Sequence, residues 1–425
     1  MISVEEARAR ILAHFAPLEA VPAPLLETLG QVLAEDVRGG FDIPPLANTS
    51  MDGYAVRAAD TTGAALASPR RLRVTGYLAA GSVYDGSVGP GEAVRIMTGA
   101  PLPDGADAIV PFEETDEEEQ STRWEDDPRP DVRIDVAAAP GANVRPAGED
   151  VRAGELVLPA GTILGPGQIG VLASLGLEQV TVIRRPRVAV LSTGDELLRP
   201  GEPLRPGAIY DSNGFSLASM VRELGAEPLV LDIAGDSVEA LTARVREGVA
   251  DADLLVTSAG VSRGDFDVVK EVLAREGEVG FWTVRMRPGK PLAFGTFSAG
   301  EGERVVPHLG LPGNPVSAMM TFELFGRPAV FTMLGKPQAW ERPRVRAVAG
   351  ERIARPDERR FYARAIVERR DGRYHARLTG PQGSGVLTSF ALANGIAVVP
   401  EDAPAVEPGD EVEVLLIDRV TEPES

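Results

Sequence analysis

The sequence contains no cysteine, which excludes disulfides, thiolate zinc sites and cysteine nucleophiles together. Histidine is nearly as scarce: His14, His308 and His375 are far apart and give no metal-ligand spacing. Any metal is therefore expected to be a hard cation such as magnesium, held by carboxylates. No run approaches the roughly 18 uncharged apolar residues needed to span a bilayer, and MISVEEARARILAHF carries charges where an export signal needs an apolar core. A cytoplasmic protein is expected. Lysine occurs only at 270, 290 and 336, so most positive charge is arginine, and the net charge of −20 argues against general nucleic-acid binding. An anionic small substrate would need a local basic pocket.

At 425 residues, with 44% hydrophobic and 25% charged residues, the chain is ordinary globular protein of two to four domains. Ser3 and Glu6 fit a capping box, and Val4, Ala7, Ile11, Leu12 and Phe15 recur at helical spacing, so residues 3–15 are expected to be helix. Leu25, Leu26, Leu29, Val32 and Leu33 predict a second helix after Pro22 and Pro24. From 37 to about 185 short β-branched runs are cut by Gly and Pro, which reads as a β-rich region, with the acidic run Asp116 to Asp131 as an exposed loop. From 186 to about 335, apolar strands (RVAVLST, PLVLDIA, DLLVTSAG) alternate with helical stretches around 213–224, 237–249 and 265–275. That rhythm predicts a parallel sheet covered on both faces, with ligands at the carboxyl ends of its strands. Beyond Pro337 the runs RVRAVAG, FYARAIVER, YHARL, GIAVVP and EVEVLLI form a separate β domain.

Three polar loops follow strands of the α/β segment. Ser192-Thr193-Gly194-Asp195-Glu196 reads equally as a ligand loop or as a strand-to-helix turn with Asp195 as N-cap. Tyr210-Asp211-Ser212-Asn213-Gly214 is a ligand loop or a cap. In the loop from Thr257 to Asp267, which contains Ser258, Gly260 and Ser262, small residues let backbone N–H groups approach phosphate while carboxylates hold a bridging cation. One such loop is a weak signal; three at successive strand ends converge on one crevice. Gly310-Leu311-Pro312-Gly313-Asn314-Pro315 adds a fourth, with Asn314 as N-cap and Pro315 at the first helical position of VSAMMTFELF. Arg287-Pro288-Gly289-Lys290-Pro291 offers two cations in a cramped turn. Arg359, Arg364 and Ser384 are anion ligands or plain surface. Asp52 before Gly53 and Thr98 before Gly99 are, on the residues alone, a turn residue and a strand end.

Taken together, NTSMDGYAV, RIMTGAPLPDGADAIV, RPAGEDV, AVLSTGDEL, YDSN, the Thr257–Asp267 loop, RPGKP, GLPGNPVS and QGSGVL resemble the molybdopterin molybdenumtransferase family, MoeA in bacteria and the E domain of gephyrin in animals. They occur in family order over nearly the whole chain. The resemblance implies a multidomain α/β protein: an N-terminal helical domain from 1–50 and 146–184, an inserted β-rich domain at 51–145, a MogA-like doubly wound α/β domain at 185–335 and a C-terminal β-barrel at 336–425. It implies molybdenum insertion into adenylylated molybdopterin with release of AMP, magnesium as cofactor, molybdate as second substrate, a homodimer, and contact with other cofactor-synthesis proteins. Glu196 and the glycine-rich loop would serve the nucleotide, with Thr193, Gly194, Asp195, Ser212, Asn213, Ser258, Gly260, Pro312 and Pro315 around it, and Asp267 would hold magnesium. Ser262, Arg287, Lys290, Arg359, Arg364 and Ser384 would meet molybdate and the pterin phosphate. Asp52 and Thr98 would reach the site from the neighbouring subunit. Ala259 stands where the family usually has Gly, and Arg287 where Lys is common. Adenylyltransfer by the MogA-like core is the competing reading, disfavoured by SMDGYA and MTGAP; a gephyrin-like scaffold role has no positive support in the residues.

Overall fold

The computed structural model describes residues 1–117, 128–235, 237–259, 272, 277–299 and 304–420. The expected helix at 265–275, apart from Val272, and the candidates Gly260, Ser262 and Asp267 lie outside the described residues. The chain divides into two compact units: Met1–Ala23, Gly30–Ala34 and Thr181–Ser425 form one, Pro24–Leu29 and Glu35–Val180 the other.

Helix α1, Val4–Leu12, is shorter than the periodicity predicted, and its N-cap Ser3 accepts from Glu6 N at 3.0 Å. Its buried stripe Val4, Ala7 and Ile11 belongs to the core of the first unit. The second helix expected at 25–33 is absent. Leu25–Thr28 is a single 3-10 turn whose leucine spacing fails to make a buried face, because Leu26 is 85% and Leu29 53% exposed. Gly30 at φ +77° ends the turn, and Val32 to Ala34 run extended, exchanging backbone hydrogen bonds with Thr181 and Ile183. The helical N-terminal domain is thereby corrected: besides α1, the 3-10 turn and helix α2 (Pro166–Ser174), the described regular elements of 1–50 and 146–184 are short strands.

In the second unit, strands β1 (Gly53–Val56), β2 (Arg70–Leu78), β3 (Glu92–Ile96), β4 (Ala108–Pro111) and β5 (Asp131–Ile134) form one sheet in the order β4-β1-β3-β2-β5. Its faces bury Tyr54, Val56 and Val110 on one side and Ala55, Val94 and Ile109 on the other. The acidic run at 116–131 is only partly the exposed loop expected, since the Glu117 side chain is 1% exposed.

The α/β sheet of the first unit contains β6 (Arg187–Ser192), β7 (Glu227–Val230), β8 (Leu254–Ser258), β9 (Gly277–Thr283), β10 (Pro291–Ala299) and β11 (Arg304–Leu311), in the order β7-β6-β8-β11-β10-β9. Along β6, Val188 and Val190 pack with helix α3 (Asn213–Glu223) and α1, whereas Ala189 and Leu191 pack with helix α4 (Val238–Asp251). A doubly covered sheet needs that two-sided apolarity. The expectation of an all-parallel sheet is corrected: β7, β6, β8 and β11 are parallel, but β10 and β9 return antiparallel. The connections at 284–290 and 300–303 are too short for the dozen or more residues of a parallel crossover. After helices α5 (Pro315–Thr321) and α6 (Arg327–Met333), joined by a π-helical turn, strands β12 (Arg344–Ala349), β13 (Arg360–Arg370), β14 (Arg373–Leu378), β15 (Gly395–Val399) and β16 (Glu411–Leu416) close into a barrel. Closure comes from the β13–β15 pairing, which joins the two ends of the order β13-β14-β12-β16-β15.

Candidate active site

From β6 the chain passes through α3 to β7 on one side, then through α4 to β8 on the other, so the topological switch point lies between β6 and β8. Register places Ser192 beside Ser258 and Ser258 beside Leu311, with the two serine hydroxyls 3.3 Å apart. A cleft of about 910 Å³ opens at these strand ends, and a loop of the barrel forms part of its wall.

Thr193, Glu196, Ser212, Asn213, Ser258, Pro312 and Pro315 all line this cleft. The segment after β6 does not enter a helix, so the N-cap reading of Asp195 is corrected: the chain continues into a short strand at Leu197–Leu198. Gly194, at φ +139°, allows Glu196 to fold back, since a Cβ there would stand 2.3 Å from Glu196 Oε2. Gly194 and Asp195 themselves line a separate, more open basin of about 400 Å³ with Arg199, Asp232 and Arg244. At the start of α3, Asp211 Oδ1 accepts from Gly214 N at 2.9 Å, and Asn213 Nδ2 donates to Gly313 O at 2.8 Å, tying two strand-end loops together. Asn314 occupies the N-cap position of α5 but its side chain makes no capping bond. Ala259, on the cleft wall, holds φ +81°, a left-handed conformation that a β-carbon disfavours.

The positive wall comes from two elements brought together by strand pairing. Met286–Arg287 runs parallel to the start of β13, aligning Arg287 with Phe361. Arg287 Nη1 donates to Asp357 Oδ2 at 2.8 Å, and Arg359 Nε donates to Asp357 Oδ1 at 2.8 Å. These hydrogen bonds, led by those from Arg359, hold the Asp357 carboxyl well below the usual carboxylate range. Arg287, Lys290 and Arg359 line the cleft, and Lys290 is exposed with no ion-pair partner among the described residues. The turn carrying Lys290 requires Gly289: its φ is +98°, and a Cβ would meet Thr321 Oγ1 at 2.5 Å and Met286 Cε at 2.7 Å.

Ser384 also lines the cleft, and its carbonyl accepts from Val316 N at 3.1 Å. Arg364 does not reach the wall. It is fully buried in the barrel, where Nη2 donates to Gly383 O at 3.2 Å and Nε to Ser389 Oγ at 3.1 Å, and burial lowers its pKa to about 10. Its backbone N donates to Gln382 Oε1 at 2.8 Å, so Arg364 underpins the loop that carries Ser384. Sequence reasoning missed Asp357, and it quoted Gln382 within QGSGVL and Tyr210 within the second strand-end loop without singling out either. Asp357 had a legible signal, an acid two residues before Arg359 in an arginine-rich run.

In the second unit, β1 and β3 pair Gly53 with Ile96, placing Asp52 and Thr98 just beyond the paired ends. A Cβ on Gly53 would stand 2.1 Å from Val110 O, which accounts for the glycine after Asp52. Asp52 Oδ1 accepts from Thr98 N and Oγ1. Beneath them Arg95 Nη2 donates to Glu117 at 2.7 Å, Tyr54 Oη donates to the same carboxylate, and Arg95 lies 4.5 Å from the Phe112 ring centroid. Burial, then the Glu117 bond, raises the Tyr54 pKa.

Among the described residues no three acidic or histidine side chains gather as a metal site. Of the carboxylates on the cleft, Asp211 already serves Gly214 N, leaving Glu196 as the one nearest in role to a cation ligand. No described helix is long and apolar enough to cross a membrane.

Family models match the chain in three successive stretches: the MoeA N-terminal region (domain I and II) at residues 2–176, a probable molybdopterin binding domain at 189–332, and the MoeA C-terminal region (domain IV) at 346–417. The chain belongs to the MoeA family. It is 40% identical over 420 residues to molybdopterin molybdenumtransferase 2 of Mycobacterium tuberculosis, covering 97% of this chain and 99% of the relative. Identity to the molybdopterin molybdenumtransferase of Bacillus subtilis is 34% over 420 residues, covering 98% and 94%. A crystal structure of the molybdopterin biosynthesis MoeA protein from Pyrococcus horikosii superposes with a TM-score of 0.79 at 34% identity, covering 99% of this chain and all of that one. Within the MoeA frame, the cleft belongs to the stretch matched as molybdopterin-binding, with Arg359 and Ser384 added from the C-terminal region.

Proposed function

We propose that this chain is a molybdopterin molybdenumtransferase that takes adenylylated molybdopterin and molybdate and yields molybdenum cofactor and AMP. The observation that carries the reading is the cleft itself: small-residue strand ends at the switch point face Arg287, Lys290 and Arg359 in a chain whose net charge is −20. Such a pocket concentrates anions locally, and release of AMP needs neutralised charge and positioning more than a covalent nucleophile. Thr193, Ser212, Asn213, Ser258, Pro312 and Pro315 would frame the adenylylated pterin, while Lys290, Arg287, Arg359 and Ser384 would meet its phosphate and molybdate. Glu196 and Asp267 would hold magnesium, which supplies charge neutralisation at the phosphoanhydride. Asp52 and Thr98 would complete the site of a second subunit in a homodimer. The enzyme would act in the cytoplasm, beside other cofactor-synthesis proteins.

The test is to supply the purified chain with adenylylated molybdopterin and magnesium and follow AMP with and without molybdate. Molybdate-dependent AMP release supports the reading. Consumption of ATP and molybdopterin instead would favour adenylyltransfer.

A further inference from the structure

Asp357 lies two residues before Arg359, in the segment leading into β13, and all the bonding capacity of its carboxylate is spent on two cleft arginines. Oδ1 accepts from Arg359 N at 3.1 Å and from Arg359 Nε at 2.8 Å; Oδ2 accepts from Arg359 Nη2 and from Arg287 Nη1 at 2.8 Å. Arg359 is further pinned by Nη1, which donates to Met286 O at 3.2 Å. Arg287 keeps Nε and Nη2 uncommitted among the described residues, and Lys290 follows three residues later on the same wall. One carboxylate thus fixes the spacing of two guanidiniums that come from different elements, and it removes one of the three positive charges on that wall.

The Asp357 side chain is 31% exposed, with Arg359 at 18% and Arg287 at 43%, so the cluster is partly desolvated and its geometry is held by charge-assisted hydrogen bonds. A mobile arginine pair of higher net charge would attract any oxyanion. A fixed pair of lower charge presents donors at one separation, and fits one size of tetrahedral anion better than another. We propose that Asp357 is a positioning residue that sets the Arg287–Arg359 spacing and thereby makes the cleft prefer molybdate over the smaller sulfate dianion. This rests on the reading of the cleft as the molybdate site.

Molybdate and sulfate carry the same charge, so the ratio of their affinities cancels a simple gain or loss of positive charge and isolates geometry. The experiment is calorimetric titration of sodium molybdate and of sodium sulfate into the full chain, for the wild type, Asp357→Asn, Asp357→Glu and Arg287→Ala. Asp357→Asn is nearly isosteric, and an unchanged melting temperature verifies the fold. The expected result is a wild-type preference for molybdate that falls about tenfold in Asp357→Asn, while sulfate binding holds or tightens. Asp357→Glu restores the charge one methylene further out. Its sulfate affinity should return to the wild-type value while the molybdate preference stays reduced. A preference unchanged in Asp357→Asn, or fully rescued by Asp357→Glu, overturns the proposal. If Arg287→Ala leaves both anions bound as in the wild type, the assignment of this wall to molybdate fails instead, and the two failures are told apart.

Discussion

Asp52 accepts two hydrogen bonds from one residue: Oδ1 lies 2.6 Å from Thr98 N and 2.7 Å from Thr98 Oγ1, joining the ends of two neighbouring strands at an exposed edge. A carboxylate held this way has its second oxygen available and its rotamer fixed, which is how a positioned functional group is built. Thr98→Val removes the hydroxyl donor and keeps the shape. Stability should change by no more than about 1 kcal/mol, as for a single exposed hydrogen bond, while AMP release falls at least about tenfold. Thr98→Ser should keep turnover near wild type. Equal turnover in the valine variant would leave the pair a strand-end lock.

If Asp52 serves the partner's cleft, Asp52→Asn and Lys290→Ala proteins, each nearly inactive, should complement when mixed and allowed to exchange subunits. About half of the dimers would be mixed, each with one intact site, for a ceiling of roughly a quarter of wild-type activity by two-fold symmetry. No recovery, with exchange verified by native mass spectrometry, would place both residues in one chain's site.

Ala259 occupies φ +81°, so Ala259→Gly should stabilise the fold by about 1 kcal/mol, less the extra chain entropy of glycine in the unfolded state. Ala259→Val should destabilise by more than that. Chemical denaturation reads both, and a glycine variant less stable than wild type would show that the added chain entropy of glycine outweighs the relief of strain.

Gly289→Ala should be costlier, because a Cβ meets Thr321 Oγ1 and Met286 in the buried wall as well as a left-handed backbone. Displacing this turn moves Lys290, so the variant should need more molybdate for half-maximal turnover. A molybdate dependence equal to wild type would return Lys290 to the role of a solvated surface residue.

His308 is completely buried, with its Nε2 3.0 Å from Thr257 Oγ1, and burial lowers its pKa to about 3 from 6.5. The folded state resists protonation and the unfolded chain does not. The contribution is therefore complete above about pH 6.5 and is lost as pH falls towards 3, at up to about 1.4 kcal/mol per pH unit. Denaturation of the wild type and His308→Gln at pH 7, 5.5 and 4.5 should show the wild type losing ground only on the acid side. Parallel pH profiles would contradict this. Asp357 does not confound the comparison, because both proteins carry it and its own contribution is lost only as pH falls through and below the ordinary carboxylate range.

The five barrel strands and β6, β7 and β8 were legible because their apolar runs match one element each, and the strand-end loops were legible because polar small residues have no packing reason there. The false helix at 25–33 came from leucines at helical spacing; the backbone hydrogen bonds of Val32 to Ala34 with 181–183 outweighed that local pattern. The antiparallel return of β10 and β9 depends on loop lengths rather than on strand composition. Glu117 read as one more acid in an exposed run, and only the Arg95 and Tyr54 partners, from strands distant in sequence, draw it into the interior. Arg364 looked like Arg359 in RRFYAR, yet alternation along β13 turns one inward to the barrel core while Arg359, just before the strand, reaches the cleft.

The measurement closest to the central claim counts molybdenum against AMP in a single reaction. The purified chain is incubated with adenylylated molybdopterin, molybdate and magnesium; AMP is quantified by chromatography, and the pterin product by its metal content. The account predicts one molybdenum bound to pterin for each AMP released, both abolished when molybdate is omitted. AMP released without molybdate, or metal-free pterin accumulating alongside AMP, would contradict it.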